Sequence, residues 1–324
     1  MVFLLAYLFA FLKSVIYGST IFFTGELTSS VDVLDVLALR FLMSLAVMWI
    51  LKTTRILNIE IGVKDFFKKN PRSGAIKTIL LTALFEPVLY MFFETLGISM
   101  TTNITAGVIL SLMPITTCIF EIIFLKENST FLQKILLGLG IFGSVYIAVN
   151  TDTQSGKDSV LGIVMLLLTV VSGSMFMTFS RKSSKSFKPM EITYVSCLIG
   201  AIAFNAVNIV RHIIAGDIIH YFEPYFSYEN LIGFFVLAVI STIIATGMNN
   251  FALSKLKSST VEAFAGVSTL VTVSVGVIFG GEELRYFHTI GLSFILLRMI
   301  GISIISIRRD KKEKELEISK ESPR

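Results

Sequence analysis

Lys13, Arg40, Glu86, Glu94 and Arg298 each interrupt a long apolar run in this 324-residue chain. A charge at mid-bilayer costs at least about 2.5–3.5 kcal/mol on insertion scales, so each needs a partner or a task. Polar residues recur around them at helical spacing. Lys13, Tyr17, Thr20 and Thr24 fall on one helical stripe, and Glu86, Tyr90 and Glu94 step by four. Asn103, Pro114, Thr117 and Glu121 share a line, as do Thr242, Thr246 and Asn249. A helix that is apolar except for one polar stripe turns that stripe inward. Such stripes either wall a wet, substrate-exposed cavity or hydrogen-bond one helix to another.

Lys13 and Glu86 are both expected near mid-depth, where opposite charges stabilise each other. The pair fixes a substrate carboxylate or ammonium, carries a proton, or serves as a structural ion pair. Glu94, expected nearer the outside, has no evident cation and is the candidate for taking up and releasing a proton. The substrate-binding set is then Lys13, Tyr17, Glu86, Tyr90, Glu94, Asn103, Thr246 and Asn249. Arg298 has no evident partner.

Bond-making chemistry finds little support. Cys118 and Cys197 lie in apolar runs, and His212, His220 and His288 are too scattered for a metal site. Gly138, Gly140 and Gly143 formally spell GxGxxG, but no strand precedes them, so they read as small residues that let helices approach. An intramembrane enzyme would need a catalytic dyad or a metal cluster at matched depth, and none is legible. No cofactor is implied, and the absence of a Walker A motif excludes ATP hydrolysis on this chain.

The elements that must position these residues are membrane helices. Hydrophobic residues make up 54% of the chain and charged residues 16%, with mean hydropathy +0.78. Soluble chains carry about 25% charged residues, so a soluble enzyme and a disordered chain are both excluded. The net charge of +5 is too small and scattered for nucleic acid. Ten segments reach crossing length, roughly 3–23, 33–51, 76–98, 104–125, 131–150, 160–180, 190–210, 231–253, 260–279 and 288–307. Lipid satisfies no free backbone groups, so the class is an all-α integral membrane protein. The first segment lacks a basic residue before it and a clear cleavage site, and is kept as a membrane helix rather than a signal peptide.

With the N-terminus cytosolic, 22 Lys and Arg fall on the cytosolic side and 3 opposite, namely Lys157, Arg211 and Arg285. The bias places both termini in the cytosol and favours an even number of crossings. Residues 308–324 read as a solvated, charged cytosolic tail.

A shift of 155 residues superposes the halves: Gly18-Ser19 on Gly173-Ser174, Glu127 on Glu282, Thr105 on Thr260, Ser99 on Ser254. The segment boundaries coincide under the same shift. Five crossings per copy is odd, so the second copy is inverted, an arrangement that recurs in secondary transporters. The expected division is one five-helix repeat over 1–150, a second over 158–307, and the tail.

The chain resembles the drug/metabolite transporter superfamily in its EamA-type branch over nearly all of 2–307. Tyr17-Gly18 stands where that family commonly has Trp-Gly. Leu37-Ala38-Leu39-Arg40-Phe41 is similar to its intramembrane Arg signature, and Tyr90 to Gly97 to its aromatic and small-residue stretch. Ala106 to Pro114 and then Glu127 resemble its Ala, Pro, Glu pattern. The resemblance implies structural roles for Arg40, Pro114, Gly18 and Gly173. The ninth segment has Thr269 where the repeat of Pro114 is expected, which predicts a straighter helix there.

The resemblance implies a secondary transporter in the plasma membrane, working by alternating access, with export of amino acids or related metabolites as the commonest activity. Uptake of a flat vitamin or cofactor precursor such as riboflavin is the alternative, suited to many Phe and Tyr and few charges. Its partners are a small-molecule substrate and the lipid bilayer, with a homodimer left open. The duplicated halves speak against a seven-helix receptor, and a pore usually needs oligomeric symmetry.

Overall fold

The computed structural model describes residues 2–61, 73–125, 131–150, 159–281 and 284–321. Glu127, Glu282 and Lys157 lie outside the described residues, and with the first two the expected repeat match between them.

Among the described residues ten helices follow one another: α1 (Val2–Ser30), α2 (Val33–Thr53), α3 (Ala75–Ser99), α4 (Asn103–Leu125), α5 (Phe131–Asn150), α6 (Val160–Ser183), α7 (Pro189–Ala215), α8 (Tyr228–Lys255), α9 (Ser258–Ile278) and α10 (Tyr286–Glu321). The protein is an all-α integral membrane protein built from two inverted five-helix repeats, α1–α5 and α6–α10.

Local chemistry sets the helix ends. The Asp32 carboxylate accepts the Leu34 amide at 2.8 Å to open α2. Thr102 caps α4 through the Thr105 amide at 3.2 Å. Pro189 and Glu191 open α7, with the Glu191 carboxylate accepting the Lys188 amide at 2.8 Å. Gly216, at φ 77°, closes α7 in the left-handed region that glycine enters freely. α10 continues beyond the apolar segment, through the charged tail, to Glu321. Lys and Glu are good helix formers, and their alternation there sustains the helix.

The repeats interlock. α2 packs on α7 and α5 on α10, each helix meeting its own counterpart. α1 packs on α9 and α8, and α6 on α4 and α3, so these contacts also correspond under the shift. The two central crossings use matching residues. A Cβ on Gly18 would lie 2.5 Å from the Ser268 carbonyl oxygen, and one on Gly173 would lie 2.5 Å from Met113 Cε. Gly173 is the counterpart of Gly18, and Ser268 of Met113.

Several central helices are irregular. α3 widens to a π-helix over Leu84–Leu89, where Glu86 leaves helical geometry (φ −137°, ψ 119°) before Pro87. α8 is a π-helix over Val236–Ala245. α4 breaks at Ser111 and Leu112, just ahead of Pro114, which has no amide hydrogen to donate. The expectation of a straighter α9 is corrected: it breaks at Phe264 without a proline. The Phe264 amide turns back to Val261 and the Val267 amide to Phe264, tight i to i−3 bonds that interrupt the α-helical ladder.

Candidate functional site

These irregular stretches surround a cavity of about 70 Å³ between the repeats, room for several waters. Its wall holds Lys13, Tyr17, Arg40, Glu86, Tyr90, Glu94, Asn249 and Glu262 among apolar neighbours such as Met91, Leu110 and Phe176. The wall follows the duplication. Glu86 and Ser241, Glu94 and Asn249, Gly107 and Glu262, and Met113 and Ser268 are counterparts under the shift, and both members of each pair line the cavity. The cavity therefore straddles the pseudo-twofold axis, while its carboxylates break the symmetry.

Lys13 does not pair with Glu86. Its ammonium lies 3.3 Å from Glu262 Oε1, with both side chains almost fully enclosed. The correction follows from packing: α1 crosses α9 closely at Gly18 and brings the Glu262 carboxylate to Lys13. Lys13 also sits 5.6 Å from the Tyr17 ring centroid.

Arg40 is both buried and part of the wall. Its Nε donates to Thr242 Oγ1 at 3.0 Å and its Nη2 to Ser241 Oγ at 3.2 Å. The Thr242 hydroxyl is set by a π-helical turn of α8: its Oγ1 donates to the Leu237 carbonyl, five residues back, at 2.8 Å. Tyr17 and Thr246 share a hydrogen bond of 3.0 Å, so Thr246 stands behind the tyrosine rather than in the wall.

Glu86, Tyr90 and Glu94 all face the cavity. The Tyr90 hydroxyl donates to Glu94 Oε1 at 2.7 Å. The Glu86 carboxylate receives no hydrogen bond and joins no ion pair among the described residues, although its backbone carbonyl accepts Ser196 Oγ at 3.3 Å. Asn249 Nδ2 reaches Met177 Sδ at 3.5 Å, and its Oδ1 is buried without a partner. Asn103 stands apart: it opens α4 near Gly25 of α1, outside the wall. Pro114 is buried below the break in α4. Glu121 accepts the Ser259 amide at 3.0 Å and ties α4 to the start of α9.

Two features escaped the sequence reading. Glu262 is the one charged residue of α9, and that alone should have marked it. Arg298 does have a partner. Its Nη1 donates to the Ser111 carbonyl at 2.6 Å, at the break in α4, while its Nη2 is buried without a partner among the described residues. α10 thus reaches the interior through one arginine.

A second polar cluster closes α2 against α7 at the helix ends. Arg211 holds Asp32 at 2.5 Å and Asp35 at 2.7 Å. His212 lies 2.8 Å from Asp35 through Nε2 and 2.8 Å from Asp217 through Nδ1. Asn208 Nδ2 donates to Asp35 at 2.8 Å. These contacts bind helix to helix, and none of these residues belongs to the cavity wall. Among the described residues no group of three or more His, Cys, Asp or Glu could hold a metal.

The comparisons agree with this architecture. The chain is 30% identical over 307 residues to the uncharacterized transporter YcxC of Bacillus subtilis (strain 168), covering 95% of each. It is 24% identical over 234 residues to an uncharacterized transporter of Archaeoglobus fulgidus, covering 71% of this chain and 78% of that one. A solved crystal structure shares the fold with TM-score 0.65 at 17% identity, covering 94% of this chain and 98% of that one. The EamA-like transporter family matches twice, over residues 4–149 and again over 160–306, once for each set of five helices. A duplicated bundle with a charged cavity on its axis, and that double match, make the chain a member of the EamA-like transporter family and a membrane transporter.

Proposed function

We propose that this transporter is a secondary carrier that moves a small organic metabolite, an amino acid or a related solute, outward across the plasma membrane by alternating access. The observation that carries the reading is the cavity whose charged wall is contributed by both repeats. Opposite charges spread around so small a space suit a solute carrying charges of its own, and suit a flat, weakly charged vitamin less well. The breaks in α3, α4 and α9 border the cavity and supply joints about which the repeats can rock. Lys13, Tyr17, Arg40, Glu86, Tyr90, Glu94 and Asn249 form the binding set, with Thr246 supporting Tyr17. Residues 1–150 and 158–307 act as the two opposed units, and both termini face the cytosol.

The test is counterflow and accumulation in proteoliposomes, with amino acids, vitamins and nucleosides as solutes and with or without an imposed pH gradient. Saturable exchange of an amino acid or close analogue supports the reading. Exchange of riboflavin alone would replace it with the vitamin alternative, and activity toward none of the panel would overturn it.

A further inference from the structure

α10 packs on α5 and α9, and one of its side chains leaves that surface to reach α4. Arg298 is fully buried, and its Nη1 donates to the Ser111 carbonyl at 2.6 Å. A cation buried at membrane depth is expensive, and other charges or backbone carbonyls are what make it tolerable. Here a carbonyl takes the hydrogen bond, while the Glu262 carboxylate of α9 adds an electrostatic attraction.

The bond falls at the break in α4. In an unbroken α-helix the Ile115 amide would donate to the Ser111 carbonyl. It bonds instead to the Leu112 carbonyl at 3.0 Å, and Arg298 takes over the carbonyl that the break releases. Gly140 of α5 leaves room for the arginine to pass: a Cβ there would lie 2.9 Å from Arg298 Nη1 and 3.0 Å from its Nε. The duplication supplies no equivalent for α9. Under the shift of 155 the counterpart of Arg298 is Gly143, which has no side chain to send to the break at Phe264. Leu110 beside the break in α4 and its counterpart Ala265 beside the break in α9 both line the cavity.

We propose that Arg298 is a positioning residue for transport: by holding the Ser111 carbonyl it latches the joint in α4 and fixes the α4 side of the cavity. The joint in α9, without such a latch, is the freer of the two. The inference rests on the alternating-access reading and deepens it by saying which of two matching joints is held.

The test reads the cavity wall directly and needs no substrate. Leu110→Cys and Ala265→Cys are each made in the full-length protein with Cys118→Ala and Cys197→Ala. In detergent they react with methyl methanethiosulfonate, a small neutral reagent, and intact mass spectrometry gives the rates. Arg298→Met should speed reaction at Leu110→Cys at least fivefold and change that at Ala265→Cys less than twofold. Gly140→Ala keeps the arginine but pushes its guanidinium off the carbonyl. It should speed Leu110→Cys at least threefold, and it carries the test if Arg298→Met fails to fold. The two changes together should do no more than Arg298→Met alone, because both remove one bond. A rate at Leu110→Cys that is unchanged or lower would overturn the proposal. So would an equal rise at both cysteines, which is general loosening, or a rise at Ala265→Cys alone, which would assign the arginine to Glu262. If the expected rates are found while the transport panel is silent, the transport reading falls and the latch stands.

Discussion

Lys13 on α1 and Glu262 on α9 meet at 3.3 Å across the two repeats, and each is the charge that makes burial of the other tolerable. Removing one partner of a buried pair leaves an uncompensated charge, whereas replacing both with apolar groups often costs little. Glu262→Gln should therefore lower stability by about 3 kcal/mol. The double change Lys13→Met, Glu262→Leu should recover most of that loss. Thermal unfolding in detergent reads both, and equal destabilisation by the single and double variants would show that the pair is not what holds α1 to α9.

The crossing beside that pair gives a second expectation. At Gly18 a methyl group would press on a backbone carbonyl of α9, and backbone cannot swing aside as a long side chain can. Overpacking of this kind costs about 1–3 kcal/mol. Gly173 faces side chains instead, the flexible end of Met113 and the edge of the Tyr90 ring at 2.8 Å. Gly18→Ala should thus destabilise more than Gly173→Ala, although the two positions are repeat counterparts. Equal melting temperatures for the two variants would contradict the asymmetry.

The helix count, the inverted duplication and the stripe from Glu86 to Glu94 were legible in the sequence, because lipid leaves the backbone few options and polarity inside it is conspicuous. The partner of Lys13 was not legible. Helical spacing says which residues share a face, and says nothing of which distant helix faces it. Glu262 became the partner through the approach of α1 to α9. The break in α9 was hidden for a different reason: proline is a visible cause of a kink, whereas the tight turn at Phe264 arises from backbone bonds that no residue type announces. The hydroxyls that hold Arg40 were visible only as a stripe on α8, and its π-helical turns set how they are presented.

Orientation has a direct check. Cys118 and Cys197 are both buried, so the background to thiol labelling is low. Ser186→Cys, between α6 and α7, should label only from the cytosolic side. Ser227→Cys, ahead of α8, should label only from outside. Labelling of both from the same side would contradict the 22 to 3 distribution of Lys and Arg as a guide to topology.

Glu94 and Glu86 should separate in transport. Glu94 accepts the Tyr90 hydroxyl, and its repeat counterpart, Asn249, is uncharged. Glu94→Gln is expected to abolish pH-driven accumulation while counterflow exchange continues, and Glu86→Gln is expected to weaken exchange itself. Continued accumulation by Glu94→Gln in response to a pH gradient would make Glu94 a helix-packing or rim residue.

The central claim is that the cavity between the repeats opens to each side of the membrane in turn. Ser268 lines it, and its counterpart Met113 does too. Ser268→Cys in a background of Cys118→Ala and Cys197→Ala gives one thiol at that depth. A membrane-impermeant thiosulfonate applied to either face of sealed, oriented vesicles measures its accessibility. The account predicts modification from both faces, with a pre-formed adduct from one face blocking reaction from the other. Reaction from a single face under all conditions, or from neither, would contradict alternating access at this cavity.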